Sequence, residues 1–384
     1  MKIAYYLFFG SEGSGIAQYA HQLLQEIARH ADCEPVLVCS PSYYGLQQSP
    51  AYAIEPTLSE IFHERRWRRR LRFVRGQVAN PRRFAASAKR LGADMVHLFN
   101  INQISAPFWV SKLEKTGLPI ALTIHDAYRN RGLVCPAYDN SQLSAVYRAA
   151  DLVFYHADRQ VEAIKARCPD ADFSSARVPI GTFEYGPPTE SREDTRSKHG
   201  IPQDKPVALF FGAVRDDKGL YDLLPALSGQ GVHLVIAGKF NDRQEHTRAE
   251  YDELIRATGM ENSVTMIDRF IDTEQIPNLF NMCDWVGLPY RKTFTSQSGV
   301  LAVAACYSKP ILVTDVGALG ETLERYRIGE CVEAESPEAL RAGVESMASF
   351  QMTPGDFERY RHDNSWEANA KISLDAYREC LSRQ

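Results

Sequence analysis

The chain of 384 residues, 44% hydrophobic and 24% charged with a net charge of -4, is too long for one ordinary core, so two soluble globular domains are expected. No stretch reaches the length of a membrane span and the N-terminus lacks a signal-peptide cleavage region, which points to a cytoplasmic protein. Eight cysteines without a CxxC pair or a histidine-rich neighbourhood predict reduced core thiols and no metal site.

Short β-branched runs alternate with helical patterns along the whole sequence, the mark of a repeated βα unit. Runs hydrophobic on both faces imply parallel sheets covered by helices. The first strand is read at Lys2–Phe9. A loop crowded with Gly10 and Gly13 then leads to Ser14 and Gly15, which open a helix over Ile16–His30. Amides at such a helix start can meet a phosphate or an acceptor; the plainer reading is an ordinary cap. A dinucleotide fingerprint is a weak match, because Ile16-Ala17-Gln18 places no glycine three positions beyond Gly15.

After a second strand at Pro35–Cys39 comes the sharpest local anomaly. From Arg65 to Arg90 there are eleven Lys and Arg and no acid, and Trp67, Leu71, Val74 and Val78 recur at helical spacing among them. Residues 1–190 thereby carry a net +4 and the remainder -8. A basic amphipathic helix over Arg65–Arg75 can adsorb to an anionic membrane surface, placing the protein at the inner face of the plasma membrane. The alternative is a solvated helix whose apolar stripe packs on the core. Nucleic acid is not the expected partner, since the rest of the chain is acidic and shows no recognition module.

Strands follow at Asp94–Phe99, with His97 read as core, and at Pro119–Ile124, which delivers His125 and Asp126 to a strand end. A lone histidine there is either structural or a ligand-contacting group. Strands at Leu152–Tyr155 and Ala176–Pro179 close the first half, and a turn-rich, charged stretch from Gly181 to Lys198 reads as a linker. The boundaries expected are a first domain over 1–185 joined by a returning helix over 365–384, and a second over 186–364.

The second half opens on the strand Val207–Phe211, which stops at Gly212 before a polar turn with Arg215 and Lys218; Gly219 then starts a helix, Leu220–Leu227. Glycine, helix amides and two cations together make an anion site suited to a diphosphate; an αL turn with solvated charges is the plain alternative. Strands are expected at Val232–Ala237, Val264–Ile267, Trp285–Leu288 and Ile311–Val313. Glu321 follows the glycine-bearing loop Asp315–Gly320 and either bonds a nucleotide hydroxyl or caps a helix Thr322–Tyr326. Helices capped by Ser336 (Pro337–Ala348) and Ser365 (to Tyr377) complete the chain.

These pieces resemble, in order and spacing, the family-4 glycosyltransferases of the GT-B fold (the bacterial glycosyl transferases group 1). The match runs through Gly13-Ser14-Gly15-Ile16, Thr123-Ile124-His125-Asp126, Gly212…Arg215…Lys218-Gly219, Val235-Ile236-Ala237-Gly238-Lys239, Ser296-Gln297-Ser298-Gly299-Val300, Lys309-Pro310, Asp315-Val316-Gly317…Glu321 and Ser365-Trp366-Glu367. The resemblance implies two Rossmann-like, doubly wound α/β domains facing an interdomain cleft. It also implies a retaining transfer from a nucleotide-diphosphate sugar, UDP- or GDP-linked, to a glycan, lipid-linked or small-molecule acceptor, with no cofactor or metal required. Ser14, Gly15, Arg215, Lys218, Gly238, Lys239, Phe270, Ser298, Gly299, Val300 and Glu321 are the implied donor contacts, and His125 and Asp126 the implied reactive pair.

Two departures stand out. Family members place two glutamates eight positions apart where Thr295 and Val303 stand here, and a phosphate-binding arginine directly after the glycine, where Ala213 stands. Valine cannot accept the ribose hydroxyl bonds that a carboxylate does. Backbone amides and Arg215 are expected to substitute. Loss of both glutamates also motivates a GT-B scaffold without turnover, acting as a binding or regulatory subunit; a GT-B epimerase is a third reading.

Overall fold

The computed structural model describes residues 1–8, 10, 14–60, 64–99, 106–128, 135–241 and 245–383; Phe9 and Gly13, named above, lie outside them. The chain divides into two compact units, Met1–Gly181 with Asn364–Gln384, and Thr182–Asp363.

The first unit holds a seven-stranded parallel sheet of β1 (Lys2–Tyr6), β2 (Glu34–Val38), β3 (Ala53–Glu55), β4 (Met95–Leu98), β5 (Ile120–Thr123), β6 (Leu152–Tyr155) and β7 (Ser174–Arg177), in the order β3-β2-β1-β4-β5-β6-β7. Alternate residues of each strand feed opposite faces: Ala4 and Tyr6 join one hydrophobic core, Ile3 and Tyr5 the other. This two-sided burial is why the strands read as unbroken apolar runs. The last helix, Trp366–Ser382, is capped by Ser365 Oγ accepting from Ala368 N at 3.0 Å and packs on this same unit. Tyr377 Oη lies 2.5 Å from His97 Nδ1 and 3.2 Å from Tyr5 Oη, while Asn369 Nδ2 donates to Tyr19 Oη at 3.0 Å. His97 also reaches Thr123 Oγ1 at 2.8 Å, and burial lowers its pKa to about 3. It is a neutral core residue.

The second unit holds a six-stranded parallel sheet of β8 (Val207–Phe211), β9 (His233–Ala237), β10 (Val264–Ile267), β11 (Trp285–Leu288), β12 (Ile311–Thr314) and β13 (Gly329–Val332), ordered β10-β9-β8-β11-β12-β13. Both sheets reverse winding direction beside their first strand, between β1 and β4 and between β8 and β11. Ligands of such sheets collect at the strands' carboxyl ends around that reversal. The amino ends are tied instead by a buried ion cluster. Arg196, 1% exposed, donates to the carbonyls of Met282, Pro202, Gln203 and Lys205 and to Asp284 Oδ2 at 3.0 Å.

Asp284 also accepts from Val207 N at 2.8 Å and from Arg192. Burial alone would raise its pKa, but the Arg192 bond, the Val207 amide and both guanidiniums hold it below the ordinary value. A depressed folded pKa contributes stability above the unfolded pKa, about 3.9, that is lost as pH falls through the folded value. Asp284→Asn is expected to cost about 1–2 kcal/mol at neutral pH, since the carboxylate is a third exposed and Arg196 keeps its carbonyl acceptors. Thermal denaturation should show the parent–variant gap narrowing below about pH 4; a gap constant down to pH 2 would show that the ion cluster contributes nothing.

Among the described residues no helix is long and apolar enough to cross a membrane.

Candidate functional site

In the second unit the loops leaving β8, β9 and β11 are bound to one another by backbone. Gly212 N donates to Ala237 O at 2.9 Å, Val214 N to Lys239 O at 3.0 Å and Asn241 N to Val214 O at 3.2 Å. Gly238 has φ +155°, and a Cβ there would sit 1.8 Å from Gly212 O, so no larger residue fits. Gly219 has φ +67°, and its Cβ would sit 1.8 Å from Pro289 O, locking the β8 loop onto the β11 loop. Arg291 N donates to Asp217 O at 3.0 Å, and the Arg291 guanidinium grips Asp222 at 2.7 and 2.9 Å. The turn is therefore held from two sides before any ligand arrives.

Lys218 lies with Nζ 3.7 Å from the ring centre of Tyr290 and 4.3 Å from that of Phe294. Arg215 is bidentate with Asp217, at 3.0 and 2.7 Å. An acid two residues away therefore already compensates the guanidinium. Tyr290 Oη lies 3.0 Å from Ser298 Oγ, which caps the helix Gly299–Cys306 by accepting from Leu301 N at 3.4 Å. Gly299 at the start of that helix is exposed, and Val300 Cγ2 lies 3.6 Å from where a Cβ of Gly212 would be. The structure thus brings Gly212, Lys218, Ser298, Gly299 and Val300 to one place, with helix amides and an ammonium beside a tight glycine turn. Such an arrangement can hold an anion.

Three other expected contacts lie in the same unit. Lys239 is exposed after β9, and Phe270 is 66% exposed after β10. Glu321 sits within the first turn of a helix, Leu319–Arg325, whose N-cap is Ala318. The capping reading over Thr322–Tyr326 is therefore corrected, because the helix begins three residues earlier. Ala318 N reaches Ser296 O at 3.4 Å, tying this helix start to the loop before Ser298.

In the first unit Ser14 caps the helix Gly15–Ile27, with Oγ 3.4 Å from Ala17 N, and Gly15 is exposed. One turn on, Tyr19 presents its ring edge to His125, centroids 5.0 Å apart at 85°, and His156 lies 5.2 Å from the same imidazole. Gln160 Nε2 donates to His125 O at 2.9 Å while its Oε1 accepts from His156 N at 2.8 Å and Ala157 N at 3.1 Å, which fixes the ends of β5 and β6 together. His125 Nε2 is buried without a hydrogen-bond partner among the described residues. Burial, then the neighbouring imidazoles of His156 and His97, push its pKa well below the usual value. Burial likewise lowers His156 to about 4. His125 is a neutral imidazole with a nitrogen held ready for a partner, beside an exposed Asp126.

The profile of the glycosyl transferases group 1 family matches residues 191–364, and that of the glycosyl transferase 4-like domain matches residues 14–172. The chain belongs to the family-4, group 1 glycosyltransferases. A D-inositol 3-phosphate glycosyltransferase of Nocardioides sp. is 24% identical over 69% of this chain, and the match spans 63% of that relative's length. Sucrose-phosphate synthase from Thermosynechococcus elongatus superposes with TM-score 0.75 at 17% identity, covering all of both chains. Anabaena HepE, solved in complex with UDP, gives TM-score 0.76 at 14% identity over 99% of this chain and 100% of its own. Both share the GT-B fold of two Rossmann-like units.

In this glycosyltransferase Val303 is 4% exposed inside the second unit's hydrophobic core, and Thr295 is half-buried before the Ser298 cap. The Val303 side chain offers no hydrogen-bonding group at the position where the resemblance implies a ribose-binding glutamate. Sequence reasoning missed Tyr290, Phe294, Asp217, Tyr19 and Gln160. Only the Pro289-Tyr290-Arg291 turn directly after β11 carried a local signal, an aromatic at a strand end in a nucleotide-binding topology. No group of three or more His, Cys, Asp or Glu among the described residues has metal-holding geometry.

Proposed function

We propose that this chain transfers a sugar from a nucleotide-diphosphate donor, UDP- or GDP-linked, to a hydroxyl acceptor with retention at the anomeric carbon. The observation that carries the reading is the anion cradle of Gly212, Lys218 and the Gly299–Cys306 helix start at the reversal between β8 and β11. In transfer, the bond from the anomeric carbon to the diphosphate oxygen breaks and the electron pair stays on the diphosphate. Lys218 and the helix amides stabilise that growing charge, with Arg215 joining once it exchanges Asp217 for phosphate. The acceptor oxygen bonds to the anomeric carbon, and its proton passes to the departing diphosphate. His125, neutral, contributes a hydrogen bond to a sugar or acceptor hydroxyl rather than a charge. Glu321 and backbone amides serve the nucleotide in place of the valine-substituted position. HepE, of the same fold, is described with UDP, which supports this donor class.

A thermal-shift series with UDP, GDP, ADP and dTDP tests the donor. A diphosphate at a hundred times its Kd adds about 2.7 kcal/mol to native stability. One nucleoside diphosphate should raise Tm more than its nucleoside does; no shift from any of the four overturns the reading. Val303 favours a second reading, a sugar-nucleotide-binding subunit without turnover. Binding with no transfer and no slow donor hydrolysis would support it.

A further inference from the structure

The arginine-rich segment forms one helix, Arg66–Leu91, with its apolar stripe turned outward. Its inward side carries Gln77, Asn80, Phe84, Ser87 and Ala88, all buried. Asn80 Oδ1 accepts from Ser59 N at 2.8 Å and Ser87 bonds Glu55, so these inward polar groups are satisfied where they are. The outward side carries Trp67, Leu71, Val74 and Val78, which are 60%, 44%, 54% and 48% exposed. Turning the helix to bury that stripe would strip Asn80 and Ser87 of their partners in the core, at the cost of desolvated polar groups. The core-packed alternative raised for this helix is thereby corrected. The stripe is held outward, over three turns and about 16 Å of helix.

At 100° per residue, Arg68, Arg75 and Arg82 project along one edge of the stripe and Arg70 along the other. Arg68 lies 5.2 Å over the Trp67 ring. From Arg65 to Arg90 there is no acid. We infer that this face docks on an anionic lipid bilayer, with Trp67, Leu71, Val74 and Val78 entering the headgroup boundary and the flanking arginines meeting lipid phosphates. Charge complementarity selects this occupant. A second copy would bring arginine against arginine, and nucleic acid would leave the apolar centre of the face in water. An interfacial helix wants this layout of an aromatic and aliphatic seam edged by cations with long stems. The net -8 of residues 191–384 opposes adsorption through the rest of the chain and so orients it. This inference rests on the first unit alone and stands whether or not the donor assignment does.

The intact chain reports its own docking. Of its four tryptophans, Trp109 and Trp285 are buried, Trp366 is half-buried and Trp67 is exposed, so Trp67 dominates any change in emission. Addition of mixed phosphatidylcholine–phosphatidylglycerol vesicles should shift emission to the blue and carry the protein into the pellet on sedimentation. Pure phosphatidylcholine vesicles should do neither. Raising salt to physiological strength should release most of the protein, since screening then acts within about 8–10 Å. Arg68→Gln, Arg70→Gln, Arg75→Gln and Arg82→Gln together should lower partitioning about a hundredfold or more, at roughly fivefold per cation near the surface. Leu71→Ser, Val74→Ser and Val78→Ser together should abolish the emission shift. All seven positions are exposed, so Tm and the UDP-induced Tm shift should hold in both variants, which separates a failure here from a failure of the donor reading. No association with anionic vesicles at low salt, equal binding to neutral ones, or binding untouched by the four glutamines overturns the inference. So does a dimer that the serine variant dissociates, or retention of RNA, in a protein that ignores vesicles.

Discussion

His125→Ala is expected to lower kcat for sugar transfer about 10²–10³-fold, the usual cost of deleting one preorganised hydrogen-bonding group from a reacting centre. Tm and nucleotide affinity should stay close to the parent's. The physical reason is the buried Nε2, which has no hydrogen-bond partner among the described residues. A buried polar nitrogen without a partner is a standing cost of about 1–3 kcal/mol, so removing the imidazole relieves a penalty that offsets the packing lost against Tyr19 and His156. A structural histidine behaves oppositely, losing stability and keeping activity. Because the imidazole is held neutral well below the ordinary histidine pKa, the parent's kcat should show no limb from His125 between pH 6 and 8. Steady-state rates across pH, measured beside calorimetry on both proteins, decide it; a variant that transfers sugar at the parental rate ends the assignment.

Lys218→Ala should weaken diphosphate affinity about ten- to a hundredfold, from loss of a charge-assisted contact of about 1.5–3 kcal/mol, while nucleoside affinity is unchanged. Arg215→Ala should cost less in binding. Its guanidinium must first leave Asp217, and alanine removes that competing pair along with the phosphate contact. Calorimetric titration of UDP and uridine, or of GDP and guanosine if the thermal series selects them, into the three proteins reads both effects. Equal affinity of the Lys218 variant and the parent for the diphosphate would remove the cradle from the donor site.

The centres of both sheets were legible because their strands are apolar on both faces: Leu152–Tyr155, Val207–Phe211 and Trp285–Leu288 fall where the sequence puts them, as does the edge strand Val264–Ile267. The other edges were not. Ala53–Glu55 and Gly329–Val332 are short, half-exposed strands whose composition reads as loop, and β7, Ser174–Arg177, begins two residues before its expected place because its Ser-Ser start looks like a turn. At the donor site the Gly212–Gly219 turn carries its chemistry in consecutive residues and announces itself. Tyr290 and Phe294 do not, since they meet Lys218 only after some seventy residues of chain have folded back through β9, β10 and β11. Gln160 and Tyr19 were silent for the same reason. Periodicity revealed the apolar stripe of Arg66–Leu91, but it cannot tell an inward stripe from an outward one; the buried Asn80 and Ser87 opposite it do.

The Trp366–Ser382 helix sets an order of events in synthesis. Its Asn369 holds Tyr19, its Tyr377 joins Tyr5 to His97, and Tyr19 in turn walls His125. A ribosome delivering about 5–20 residues per second releases the strands of the first sheet long before this helix exists. The second unit, continuous from Thr182 to Asp363, can complete itself while the first still waits. The nascent first unit therefore holds Tyr5, His97 and Tyr19 without the partners that Tyr377 and Asn369 supply until this helix is made. A stop codon that removed only the final helix would leave every proposed site residue in the chain and still deny His125 its setting.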